Sequence, residues 1–301
     1  MLQLIKPDTK VDFVGHRKYA FLFSGVLIVL SLALLLGAGP KYGIDFEGGT
    51  LLHVRFQDVG DIGAVRAALG DVGGDVSVQD FGAVRGEYLL RVPQVANDAG
   101  KLGDRITQAL RKSFGSSFEV LRTETVGPRV GSELRQKAIL AVLFATIMMG
   151  AYIWLRFELR FGIGAATALL HDVIITAGAL VLFGYEFDLT IVAALLTVVG
   201  FSVNDTVIVS DRIRENMRKS RRQTLASVIN ASINETLSRT VLTTGTALLV
   251  IVALYLLGGN VIHGFAFSLL VGFTVGTYSS IFVASPIVLL LEWGASGARA
   301  R

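Results

Sequence analysis

VVGFSVNDTVIVSDRIREN (Val198–Asn216) starts inside an apolar run of membrane-spanning length and sets Asn204 and Asp205 side by side. It then returns to apolar residues and closes on Asp211, Arg212, Arg214 and Glu215. An ionisable residue within a spanning helix costs roughly 2.5–3.5 kcal/mol on insertion scales, so such residues face protein or water and mark ion or substrate paths. Asp205 precedes Asp211 by six residues, which at about 1.5 Å rise per residue puts it roughly 9 Å inward from the charged end. An acid is therefore expected within the hydrocarbon, nearer the charged side, with Asn204 beside it. The charged residues read as an interfacial cluster at the helix end.

Working outward, the 301 residues are 52% hydrophobic and only 17% charged, which excludes an ordinary soluble chain. Lys and Arg sit in short segments beside apolar runs, the pattern of membrane topology rather than of a nucleic-acid face. There is no cysteine, so disulfides and thiol chemistry are closed. Residues 1–18 are polar and carry Lys6, Lys10, Arg17 and Lys18, and the run Tyr19–Leu36 follows. A cleaved signal has a shorter core of about 7–15 residues, so an uncleaved first span over 19–38 is expected.

A stretch of ordinary polarity, residues 39–137, comes next. It reads as a turn at GIDFEGGT (Gly43–Thr50), then a strand over Leu51–Phe56, a helix over Ile62–Leu69 and strands over Val76–Phe81 and Tyr88–Val92. A helix over Ala99–Phe114, with its stripe Leu102, Ile106, Ala109, Leu110, and a strand over Phe118–Val126 complete it. The order βαββαβ is that of the ferredoxin-like split βαβ unit. Five further apolar runs lie within 138–292: Ala138–Leu155, Phe161–Phe183, Leu189–Ser210, Thr240–Leu257 and Gly264–Leu291. The last holds Gly272 and Gly276 in GxxxG spacing, which permits close helix contact. The loop 212–239 contains Thr224–Leu237, with apolar Leu225, Val228, Ile229 and Ile233, expected as an amphipathic helix on the membrane surface. Residues 293–301 form a basic tail.

The fold class expected is thus an α-helical membrane protein of six transmembrane helices carrying one α+β ferredoxin-like domain. Loops with Lys and Arg alternate with the turns Gly184–Asp188 and Gly258–His263, which contain neither. The positive-inside rule then predicts both termini in the cytoplasm and the α+β domain outside the inner membrane.

Four ionisable residues are candidates for buried chemistry: His171 and Asp172 in the third span, Asp205 in the fourth and Arg239 at the mouth of the fifth. Adjacent helical residues point about 100° apart, so His171 and Asp172 are not expected to hold one ion from one face, and no helix-borne metal pair occurs. Neither a Gly-x-Ser-x-Gly nor a Cys offers a nucleophile, so no enzyme and no cofactor is expected. Asp205 and Arg239 make a better pair, because the fourth and fifth spans run antiparallel. An arginine beside the acid holds it ionised, and a retreating arginine leaves it in low dielectric, where the neutral, protonated form wins. That alternation suits a proton relay driven by a proton gradient, to which Asp172, His171 and Asn204 are the further candidates. A static pair that only fixes packing stands as the alternative.

Three pieces carry a family resemblance: GIDFEGGT after the first span, the intramembrane HDV of His171–Val173, and VNDTVIVSDRIREN followed by NETLSRT. They resemble the SecF family of the SecD–SecF protein-export complex, within the resistance–nodulation–division superfamily. The likeness covers essentially the whole chain, although Phe201, Ser202 and Ser210 stand where the family often has bulkier residues. It implies a subunit that works with SecD and the Sec channel, uses the proton gradient, and assists exported unfolded polypeptides. It implies that Asp205 and Arg239 are the residues tied to proton passage. It also implies that this chain is half of a transporter and conducts poorly without SecD. No Gly-x-x-x-x-Gly-Lys-Ser/Thr is present, so ATP hydrolysis would belong to a partner. A structural adaptor and a half-sized small-molecule exporter are the competing readings.

Overall fold

The computed structural model describes residues 10–57, 62–70, 76–80, 86–93, 102–219 and 223–299. Its elements in chain order are α1 (Arg17–Ala33, extended by a π turn Leu34–Ala38), β1 (Lys41–Tyr42), α2 (Ile44–Glu47), β2 (Gly49–Phe56) and α3 (Ile62–Leu69). There follow β3 (Ser77–Asp80), β4 (Glu87–Pro93), α4 (Leu102–Phe114), β5 (Phe118–Val126), α5 (Pro128–Arg156) and α6 (Leu159–Leu182). The chain ends with β6 (Glu186–Phe187), α7 (Leu189–Lys219), α8 (Leu225–Leu257), α9 (Gly259–Ser279), a second π turn Ser280–Ala284 and α10 (Ser285–Arg299). Six helices are long and apolar enough to cross a membrane, the last being the composite Gly259–Glu292.

Hydrophobic alternation builds the α+β domain. Leu52, Val54 and Phe56 of β2 and Tyr88, Leu90 and Val92 of β4 point to one face, where Val65 and Leu69 of α3 and Ile106 and Leu110 of α4 cover them. The sheet order is β3-β4-β2-β5 with every pair antiparallel, so β4 lies between β2 and β3 as in the split βαβ unit. Residues Phe81 and Ala99, the expected ends of a strand and a helix, lie outside the described residues.

The opposite face of the sheet is polar. Glu87, 3% exposed, accepts hydrogen bonds from Arg55 Nε at 2.8 Å and His53 Nε2 at 2.9 Å. The Arg55 bond, with the His53 bond and both charges behind it, outweighs burial and holds the Glu87 carboxyl below its ordinary value of 4.5. A depressed carboxyl stabilises the fold above its unfolded-state value and loses that contribution as pH falls through the folded one. Glu87→Gln should therefore lower the thermal midpoint of the domain at neutral pH. The difference from wild type should shrink as pH drops below about 4.5; a difference that grows in acid would contradict this account.

The domain is tied to the helices at several points. β1 pairs in parallel with β6, the linker between α6 and α7, and Arg91 forms an ion pair with Glu186. The Asp45 carboxylate accepts from Leu189 N at 3.0 Å at the start of α7, and Asn260 Nδ2 donates to Asp80 O at 3.0 Å. GIDFEGGT, expected as a turn, winds into α2 before β2 begins.

Within the bundle α6, α7 and the composite last span are the central helices, 50–56% buried over their most apolar windows, against 17–22% for α1, α5 and α8. Close contact between α7 and α9 depends on Gly272 and Gly276: a Cβ there would meet Val198 Cγ2 at 2.1 Å and Ser202 Cβ at 2.9 Å. The GxxxG face is thus used inside the chain.

One expectation changes. Thr224–Leu237 is no separate surface helix, because α8 runs unbroken from Leu225 to Leu257. Thr224 caps its start by accepting from Ser227 N, and with no Gly or Pro between Leu225 and Thr244 nothing ends the helix where the span begins. Val228, Ile229 and Ile233 are buried against protein rather than against a membrane surface. Residues 11–14 are docked on the same helix. Phe13 and Val14 are buried, and Asn230 Oδ1 accepts from both their backbone N–H groups. Asn234 grips Val11 through N–H and C=O together.

Candidate functional site

Two buried acids lie in the bundle, each in its own setting. Asp172 on α6 is fully buried and bonds two other helices directly. Its Oδ2 accepts from Ser202 Oγ of α7 at 2.6 Å and from Ser279 Oγ of α9 at 2.8 Å. Its Oδ1 is 2.9 Å from His171 Nδ1. The ring's far nitrogen, Nε2, reaches Ser24 Oγ of α1 at 3.1 Å, Ser24 Oγ reaches Tyr278 OH at 3.1 Å, and Tyr278 OH donates to Ala20 O at 3.0 Å.

Donor counting fixes the direction of that chain. Tyr278 spends its one proton on Ala20 O, so Ser24 donates to Tyr278 and accepts from His171 Nε2–H. The Nδ1···Oδ1 bond then needs a proton from one side or the other, so the His171–Asp172 pair holds one proton on it in either form. The side chains of these neighbours meet despite the 100° between their Cβ directions.

Asp205 on α7 is 1% exposed and faces inward against α8 and α9. Its Oδ2 accepts from Thr244 Oγ1 at 3.4 Å, and Thr244 in turn shares a 2.8 Å bond with Thr277. Its Oδ1 has no hydrogen-bond partner among the described residues. Arg239 stands on α8 one and a half turns nearer the charged end than Thr244, with its side chain exposed. It is within electrostatic range of Asp205 but makes no ion pair with it among the described residues. Asn204 is not brought to this group. It lies exposed on the outer face of α7, as the 100° step from Asp205 requires.

At the charged end of the bundle lies a vestibule of about 570 Å³, bounded by α5, α7 and α8 and lined by Arg156, Val207, Ile208, Asp211, Thr236 and Arg239 among others. Arg212, Glu215 and Glu235 also line it, and the interfacial cluster they form locks α7 to α8. Arg212 bonds Glu215 at 2.6 Å and Glu235 at 2.5 Å, Asn216 bonds Glu235 at 2.8 Å and Ser232 at 3.0 Å, and Lys219 bonds Glu215 at 2.5 Å. Arg214 lies over the Phe157 ring, 5.8 Å from its centroid. Ser24, Ser202, Ser279, Tyr278, Thr244 and Glu235 are site residues that sequence reasoning missed. Single hydroxyls in apolar runs carry no spacing signal, and only Glu235 stood in a motif, NETLSRT.

Comparison with known proteins decides the family. The profile described as "Protein export membrane protein SecD/SecF, C-terminal" matches residues 106–293, and that of the "SecD/SecF GG Motif" matches 33–58. The protein translocase subunit SecF of Desulfurispirillum indicum is 47% identical over 94% of this chain and 91% of its own. That of Vibrio alginolyticus is 47% identical over 97% and 93%. The chain belongs to the SecF family.

SecF proteins are subunits of a protein translocase, so the chain is a multi-pass inner-membrane component of that machinery. The crystal structure of SecDF from Thermus thermophilus superposes with a TM-score of 0.83 at 38% identity, covering 96% of this chain. This chain spans 40% of that one. A second SecDF structure, in a super-membrane-facing form, gives a TM-score of 0.75 at 36% identity over the full chain. In SecF terms the GG motif is Gly48–Gly49, at the junction of the α+β domain and the bundle.

Proposed function

We propose that this SecF-type subunit couples proton flow to protein export, together with a SecD partner supplying the rest of the assembly. The observation that carries the reading is Asp205: a carboxyl group sealed inside the bundle, with one oxygen unpartnered and a mobile-length cation on the next helix. A buried carboxylate without a partner costs several kcal/mol, so the arrangement with Arg239 withdrawn suits the protonated acid. When Arg239 swings inward, the carboxylate can persist and its proton has left. Each proton crossing contributes about 2.3 kcal/mol per 100 mV. The subunit then needs no covalent chemistry of its own, and the His171–Asp172 pair, with its single proton, is a second element of the same polar core.

The basic residues support an orientation. Arg17, Lys18, Arg156, Arg160, Arg212 and Arg214 belong to one end of the bundle and the α+β domain to the other, so the charged end is cytoplasmic and the domain external. On that side it would meet polypeptide leaving the Sec channel. The test uses the chain with its SecD partner in proteoliposomes containing a pH-sensitive dye. Asp205→Asn should abolish proton uptake and leave co-purification with SecD intact. Uptake at the wild-type rate from that variant would leave only a scaffold.

A further inference from the structure

Thr240 departs from its neighbours. Threonines inside spanning helices commonly satisfy their hydroxyl on the carbonyl one turn back. On α8 Thr236 bonds Ser232 O at 3.0 Å, Thr243 bonds Arg239 O at 2.8 Å and Thr246 bonds Leu242 O at 2.9 Å. Thr244 turns instead to Asp205 and Thr277. Thr240, 1% exposed, has no partner for its Oγ1, just as Asp205 has none for its Oδ1. The other such buried side-chain atoms among the described residues are Arg91 Nε and Arg160 Nε, whose guanidinium groups are already ion-paired through their other nitrogens.

The two orphaned oxygens are both buried and belong to helices packed against each other, α7 and α8. Thr240 precedes Thr244 by four residues, about 6 Å along α8 toward the charged end. The lining of the vestibule includes Arg239, the residue before Thr240, and Thr236, one turn nearer the charged end. An unpaired buried polar atom costs about 1–3 kcal/mol, and buried water is the usual means of satisfying one.

We propose that Thr240 is the relay group between Asp205 and the vestibule, its hydroxyl joining a water held at Asp205 Oδ1 to the water beyond. The inference rests on the proton-coupled reading above. The O–H bond of the Asp205 carboxyl breaks as its proton joins the bridging water. That water passes one of its own protons to Thr240 Oγ1, and Thr240 releases its original proton to vestibule water. One O–H bond forms for each that breaks. The net change is one proton moved from the carboxyl to the cytoplasmic side, leaving a carboxylate for Arg239 to accompany.

The experiment measures proton uptake in proteoliposomes holding the chain with its SecD partner, for wild type, Thr240→Val, Thr240→Ser and Asp205→Asn, with thermal midpoints of each. Removing a group that transfers protons is expected to slow Thr240→Val at least about tenfold, and Thr240→Ser should restore most of the rate. Because valine fills the same space and removes only a hydroxyl bonded to water, the midpoint of Thr240→Val should stay close to that of wild type. Wild-type uptake in Thr240→Val alongside its loss in Asp205→Asn would overturn the relay alone. Wild-type uptake in both would overturn the reading beneath it. A lowered midpoint in Thr240→Val would assign the residue to packing and also overturn the relay.

Discussion

Asp172→Ala is expected to destabilise the bundle by about 3–5 kcal/mol, the range for removing one member of a buried, hydrogen-bonded charged pair. The cost falls unevenly on the groups left behind. Ser279 already shares its hydroxyl with Gly276 O at 3.1 Å and keeps that bond. Ser202 loses its one hydroxyl acceptor among the described contacts, and His171 loses the partner of Nδ1. Since the acid and its histidine join four helices, the loss is cooperative: α1 is attached through Ser24 and His171, α7 through Ser202 and α9 through Ser279.

Asp172→Asn separates hydrogen bonding from charge. The His171–Asp172 bond carries a proton whichever partner holds it, so an amide N–H pointed at Nδ1 reproduces the protonated form, and the amide oxygen still accepts from both serines. Its cost should be only about 1 kcal/mol, the scale of a single altered hydrogen bond. Thermal unfolding of the purified chain in detergent, read for both variants, checks the contrast. An alanine variant within about 1 kcal/mol of wild type would mean that the serines and the histidine find other partners, and the network would lose its structural meaning.

How much of this was legible in the sequence depends on whether the signal was periodic. The alternation Leu52, Val54, Phe56 and the stripe Leu102, Ile106, Leu110 declared their elements, because burying one face imposes a period on the residues that form it. The six apolar runs did the same through length. Partners of the buried acids had no such signature: Ser202 and Ser279 lie 30 and 107 residues from Asp172, and Ser24 lies 147 from His171. A hydroxyl amid apolar residues looks alike whether it bonds its own helix or a carboxylate across the bundle. The 100° rule reaches only as far as the side chains are short. Asn204 and Asp205 follow their Cβ directions, one exposed and one buried on α7. The longer imidazole of His171 swings along the helix surface to hydrogen-bond the Asp172 carboxylate, a contact that spacing did not suggest. The surface helix expected over Thr224–Leu237 and the span expected from Thr240 are one helix, since the few polar residues between them do not end it. There Asn234 holds the N-terminal segment and Glu235 holds Arg212, so α8 passes through as one rod.

Gly48→Ala should cost about 2–4 kcal/mol, strain and overpacking together, and should fall on the attachment of the α+β domain rather than on either body. Gly48 has φ +84° and ψ 159°, a conformation essentially confined to glycine. A Cβ there would also lie 2.9 Å from both N and Cα of Pro128 and 3.1 Å from Val126 O, all backbone atoms with no freedom to swing aside. On the other side of the same contact, a Cβ on Gly131 would stand 3.0 Å from Gly48 N and from Phe46 C and O. The chain entering the domain before β2 and the chain leaving it after β5 therefore touch backbone to backbone, and only glycine allows it. That crossing makes the two tethers one stiff post between domain and bundle, which any force transmitted from the helices to the domain must use. Gly127→Ala is the control: it lies next to Pro128, with φ −73° and nothing within 4 Å of its added Cβ, so it should change stability by less than about 0.5 kcal/mol. In a thermal scan Gly48→Ala should lower and broaden the unfolding transition, and limited proteolysis should cut near residues 43–48 and 126–131 well before it cuts wild type. If Gly48→Ala matched Gly127→Ala in both assays, the tethers would be free to part, and the GG motif would need another reason for its two glycines.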